Sequence, residues 1–188
     1  MIDHNRKPKL LLHTCCAPCL TSVFEQLKND YDITILWFNP NIEPAEEYNK
    51  RVKEVIKLSK ILELKLALIE NYPAENQNWN LLTKNFADEK EGGNRCRLCI
   101  KNRLLNTAKF AKDNNFDYFA TTLTVSPHKN SIMINQLGRE IGEKLNIDFI
   151  EGDFKKQNGY LRSIELSKKY DLYRQKYCGC NSSLKNNC

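Results

Sequence analysis

The sequence predicts an α/β domain, doubly wound around a mostly parallel sheet. Short apolar runs at 9–13 (KLLLH), 33–38 (ITILWF) and 118–123 (YFATTL) read as buried strands. Segments with the apolar spacing of helices fall between them. The 188 residues can enclose one core, so residues 1–188 are expected to form a single domain ending in a basic, cysteine-containing segment.

The first strand, 9–13, runs into a turn and then a short helix at 20–28. A second strand at 33–38 ends in the turn signal NPNIEP, which opens a helix over 45–62 and leads to a third strand at 65–69. The stretch YPAENQNW is expected to be irregular. After it, EGGNRCRLC opens a helix reaching about 114, followed by strand 118–123, helix 131–145 and strand 147–151. In such sheets ligands sit beyond the carboxyl ends of the strands, where Cys15–Cys19 and the loops after Thr122 and Gly152 would fall.

The polar N-terminal stretch MIDHNRKPK and the lack of a membrane-length apolar run lead us to expect a soluble, cytoplasmic protein with no membrane partner. In a reducing compartment, eight cysteines suggest metal or redox chemistry in preference to disulfides. The net charge of +6 is compatible with a polyanionic partner.

Seven cysteines form three groups: Cys15, Cys16 and Cys19; Cys96 and Cys99; Cys178 and Cys180. Cys188 stands apart. A C-x-x-C pair opening a helix can aim both sulfurs at one metal, and Arg95 and Arg97 beside it favour thiolates. Seven thiols exceed the four that one zinc site or one iron–sulfur cluster takes, so their convergence implies more than one metal centre.

Taken together, HTCCAPC, RCRLC, ATTLTVSPHKN, EGDFKK and YRQKYCGC resemble the cobalamin-independent epoxyqueuosine reductase family, QueH, across nearly the whole chain. That family is similar in architecture to Rossmann-like, nucleotide α-hydrolase or PP-loop domains, yet HTCCAPC stands where their pyrophosphate loop would be, which argues against ATP use. The resemblance implies deoxygenation of an epoxide to an alkene at the wobble nucleoside of tRNA. It also implies a [4Fe–4S] cluster beside a mononuclear iron, with the tRNA anticodon stem-loop and an electron donor as partners.

Within that reading, adjacent Cys15 and Cys16 are not expected to reach one atom, whereas Cys96 and Cys99 can. The expected cluster ligands are then Cys96, Cys99, one of Cys15 and Cys16, and one of Cys178 and Cys180. The remaining thiols, joined by Asp153 or a nearby carboxylate, would hold the second iron. His13 is a candidate proton donor or orienting residue. Thr121, Thr122, Ser126 and Lys129, then Lys155, Lys156 and Arg174, are candidate substrate contacts, with Tyr160, Tyr170, Tyr173 and Tyr177 offering stacking faces. Two other readings stay open: a thiol–disulfide oxidoreductase using Cys16 and Cys19, and a zinc-stabilised RNA-binding module without catalysis.

Overall fold

The computed structural model describes residues 6–69 and 71–185, so Cys188 lies outside the described residues. Five strands form one parallel sheet in the order β3-β2-β1-β4-β5: β1 (Lys9–His13), β2 (Asp32–Trp37), β3 (Lys65–Leu68), β4 (Tyr118–Thr121) and β5 (Asp148–Phe149). The order reverses between β1 and β4. The expected doubly wound sheet is therefore present, and its switch point lies at the carboxyl ends of these two strands.

Side chains alternate across the strands and supply both cores. Leu10, Leu12, Ile33, Ile35 and Trp37 face α1 (Ala17–Leu27) and α2 (Ala45–Ile61). Leu11, Leu36 and Phe119 face α4 (Asn94–Asp113) and α5 (Ser131–Leu145). Burial on both faces explains why β1 reads as a continuous apolar run instead of an alternating one.

Several boundaries differ from expectation. The stretch expected to be irregular is helix α3 (Tyr72–Thr83). Pro73 sits in its first turn, where proline costs no helical hydrogen bond, and its buried residues are only Trp79 and Thr83, so the apolar period is weak. Helix α1 begins at Ala17, earlier than its apolar spacing suggests, because Cys16 caps it and Pro18 occupies the first turn. Strand β4 stops at Thr121 and tightens into a 3-10 turn at Thr122–Val125. The C-terminal segment contains α6 (Gly159–Lys169), which packs on α1, and the short α7 (Asn181–Lys185).

Leu12 is fully buried in the centre of the sheet. Replacing it with alanine is expected to cost about 2–5 kcal/mol, read as a lower urea midpoint with an unchanged denaturation slope.

Candidate metal centre

The chain leaves β1 along a hydrogen-bonded track. Thr14 N–H donates to Leu36 O at 2.9 Å, Asn39 Nδ2 to Thr14 O at 2.9 Å, and Cys15 N–H to Thr122 Oγ1 at 3.1 Å. The Thr122 hydroxyl in turn donates to Cys15 Sγ at 3.3 Å, tying the end of β1 to the end of β4. Cys16 is extended (φ −170°) and caps α1, its sulfur accepting from Cys19 N–H at 3.4 Å. This sharp exit brings the adjacent sulfurs of Cys15 and Cys16 to 3.8 Å, and the three sulfurs of Cys15, Cys16 and Cys19 lie within 4.8 Å of one another.

Adjacent Cys15 and Cys16, not expected to reach one atom easily, thus stand close enough to share a cation with Cys19. Hydrogen bonds from Cys15 and Cys19 hold Cys16 well below the usual thiol range. Donation to Cys16 pushes Cys15 up to about 11, and the bonds to Cys15 and Cys16 push Cys19 up as well. Hydrogen bonding within the group thus favours the charged form at Cys16 over Cys15 and Cys19, and a cation can displace the thiol protons.

The second group forms opposite. Cys96 and Cys99 open α4, and Arg103 follows Cys99 by four residues, on the same side of the helix. Between Cys178 and Cys180, Gly179 adopts φ 137°, a backbone state that a side chain disfavours, and its carbonyl accepts from Glu43 N–H at 2.8 Å. Arg51 pins this turn by donating to Cys178 O at 3.0 Å and Tyr177 O at 3.1 Å. Cys96, Cys99, Cys178 and Cys180 consequently line one small cavity with Asn41, Trp79, Arg95, Arg103 and Lys129.

The electrostatics of this cavity are cationic. Arg103 is 3% exposed, and no carboxylate lies within ion-pair distance of it among the described residues. Burial alone would lower its pKa, but Cys99, Cys178, Cys15 and Cys96 outweigh burial and raise it. Lys129 behaves likewise: burial acts against its charge, while Cys178 and Glu91, the latter at 2.7 Å, hold it protonated. Burial pushes the Cys99 thiol up, opposed by Arg103 and by the Trp79 indole. Four buried polar atoms on the cavity wall, Asn41 Oδ1, Trp79 Nε1 and Arg95 Nε and Nη2, find no hydrogen-bond partner within the chain. Thiols, buried cations and unpaired donors suit a polar, anionic, sulfur-rich guest.

The first group opens into a cleft lined by Cys15, Cys19, Ser126, Lys129, Tyr160, Arg174 and Tyr177. Cys178 and Lys129 line both cleft and cavity, so the two thiol groups adjoin there. Of the expected substrate contacts, Ser126, Lys129 and Arg174 reach the cleft. Thr121 and Thr122 are buried beneath it as supports. Asp153 pairs with Lys155 at 3.0 Å and Lys156 at 3.9 Å, and none of these three lines the cleft. His13 is fully buried: Nε2–H donates to Phe38 O at 3.2 Å, and Nδ1 accepts from the Thr121 hydroxyl at 2.9 Å. Burial, then Arg103, hold its pKa down at about 4, so the ring is neutral.

Sequence reasoning missed Arg103, Arg51, Asn39 and Trp79. Arg103 was accessible to it, since 96, 99 and 103 share one helical face. The others act across long sequence separations and leave no local signal.

Fold and site together define a parallel α/β protein with a cysteine-rich, metal-capable centre at the carboxyl edge of its sheet. The family model described as Epoxyqueuosine reductase QueH matches residues 10–186, and the chain belongs to that family. The relative called Epoxyqueuosine reductase QueH in Streptococcus pyogenes serotype M1 is 40% identical over 178 residues, covering 93% of this chain and 69% of its own length. Its counterpart in Thermotoga maritima is 37% identical over 175 residues, covering 93% and 90%. Among solved structures, a protein described as a predicted subunit of tRNA methyltransferase from Methanocaldococcus jannaschii shares the fold, with a TM-score of 0.54 at 16% identity over 85% of this chain and 74% of that one.

Thr122→Val removes both the acceptor for Cys15 N–H and the donor to its sulfur. It is expected to cost about 1–3 kcal/mol in urea unfolding, with Thr122→Ser restoring most of the loss.

Proposed function

We propose that this chain reduces the epoxide of epoxyqueuosine in tRNA to the alkene of queuosine, the oxygen leaving as water after uptake of two electrons and two protons. The observation that carries the reading is the convergence of two thiol groups at the sheet's switch point, one of them facing an open cationic cleft.

The geometry supports a different division of ligands from that expected from spacing. The close-set sulfurs of Cys15, Cys16 and Cys19 suit a single iron. Cys96, Cys99, Cys178 and Cys180, set around a cavity, suit a [4Fe–4S] cluster, whose iron corners hold their thiolates apart. Bound there, the cluster supplies electrons singly and the iron supplies Lewis acidity toward the epoxide oxygen.

The chain's own groups do the rest. The Lys129 ammonium lies between the two thiol groups and, held protonated, faces the place where negative charge grows on the leaving oxygen. The side chains of Tyr160 and Tyr177 form cleft walls on which a nucleobase can stack, and Arg174 is held beside them by bonds to Ser163 O and Ser167 Oγ at 3.2 and 3.0 Å. His13 stays neutral and secures the ends of β1, β2 and β4.

The depressed Cys16 thiol, three residues before Cys19 at a helix cap, also fits a thiol–disulfide oxidoreductase. That reading gives no role to the four-thiol cavity, so Cys99→Ser separates the two: it abolishes epoxide reduction and would leave disulfide exchange intact.

The direct test incubates anaerobically reconstituted protein and dithionite with tRNA carrying epoxyqueuosine, followed by nucleoside mass spectrometry. Queuosine is expected, and unchanged epoxyqueuosine would refute the proposal. Lys129→Met is expected to slow single-turnover reduction by about 100- to 1,000-fold at unchanged iron content, with Lys129→Arg recovering part of the rate.

A further inference from the structure

Trp79 belongs to α3, which anchors to the loop after β2 through Asn76 Nδ2 donating to Pro40 O at 2.7 Å and Tyr72 Oη donating to Ile42 O. Its indole is 3% exposed and packs against Cys99 and Cys180, forming a small cluster of their three side chains. An indole N–H can only donate. A buried donor without an acceptor costs about 1–3 kcal/mol, so its retention calls for an explanation.

Nε1 of Trp79 makes no regular hydrogen bond within the chain; it lies in the wall of the four-thiol cavity, where it acts on the Cys99 thiol. Trp37 offers a useful contrast. Its Nε1 also makes no regular hydrogen bond, but it sits in the apolar core against Tyr48, outside the cavity that the four cysteines line. An unpaired indole alone therefore signifies little; one set against two cysteines that share a cavity with two more has sulfur as its available acceptor.

We propose that Trp79 is a positioning residue for the reductase centre: its indole N–H donates to sulfur at Cys99 and raises the reduction potential of the cluster held by the four thiols. This rests on the cluster assignment made under the proposed function. A hydrogen bond to a ligating sulfur withdraws electron density and so stabilises the more negative, reduced state. The ring also closes the cavity against the polar pocket lined by Asn80, Thr83 and Ser182 on its other side.

Removing the ring would alter both the hydrogen bond and solvent access, so the decisive variant replaces Trp79 with β-(3-benzothienyl)alanine, which keeps the shape and lacks the N–H. Iron, sulfide and the EPR-monitored midpoint potential are measured for this variant and for the wild type, with Trp37→Phe as control. The expected result is a full cluster whose ratio of reduced to oxidised protein at a fixed poise falls by about tenfold, equivalent to about 59 mV for one electron, while Trp37→Phe leaves it unchanged. A full cluster with unshifted potential overturns the inference. Loss of the cluster in the isostere variant also overturns it, making Trp79 a purely structural wall. A wild type without iron and sulfide overturns the cluster assignment itself, and this inference with it.

Discussion

The organisation of the site depends on one buried charge. Arg103 places a guanidinium in the wall of the four-thiol cavity, bonded to Cys99 O at 3.4 Å and Asn39 Oδ1 at 3.5 Å, and it is offset electrostatically by sulfur from Cys99, Cys178, Cys15 and Cys96. Burying a cation is unfavourable unless a counter-charge accompanies it. Here the surrounding sulfurs hold the arginine charged, and Arg103 in turn opposes the burial that pushes the Cys99 thiol up. Burial, with Arg103 adding to it, depresses His13 and keeps it neutral, leaving its two ring nitrogens to fix the strand ends.

The fold supplies the positions that this interaction needs. Reversal of strand order between β1 and β4 leaves a crevice at their carboxyl ends, and the Cys15–Thr122 bonds span it. In nucleotide-binding relatives of this architecture a glycine-rich loop at that place receives phosphate. Here cysteines occupy the turn and the start of α1, so the same backbone geometry presents sulfur. Helix α4 and the Cys178–Cys180 turn then close the centre from the opposite side, held by Arg51 and Gly179.

Much of this was legible in the sequence where the signal was local. The apolar runs of β1, β2 and β4 located the central strands, and the C-x-x-C of Cys96 and Cys99 marked the first turn of α4. The resemblance identified the family from five short motifs. What escaped was non-local or masked. Helix α3 is polar apart from a few side chains, so its period is faint. The convergence of Cys15 with Cys16 depends on the turn out of β1 and on the bonds to Thr122 and Cys19, which spacing rules do not encode. Asp153, Lys155 and Lys156 look like a binding loop in sequence; in space they pair with one another to the side of the cleft, a position that sequence does not reveal.

The central claim is that the three-thiol and four-thiol groups hold different metal centres. The most direct measurement quantifies iron, sulfide and zinc in anaerobically purified protein, with EPR spectra before and after dithionite, for the wild type and for Cys19→Ser. The account predicts about five irons and about four sulfides per wild-type chain, and a variant that loses the extra iron while keeping sulfide and the cluster signal. Zinc without sulfide, or a variant that loses the whole cluster together with the single iron, would contradict it.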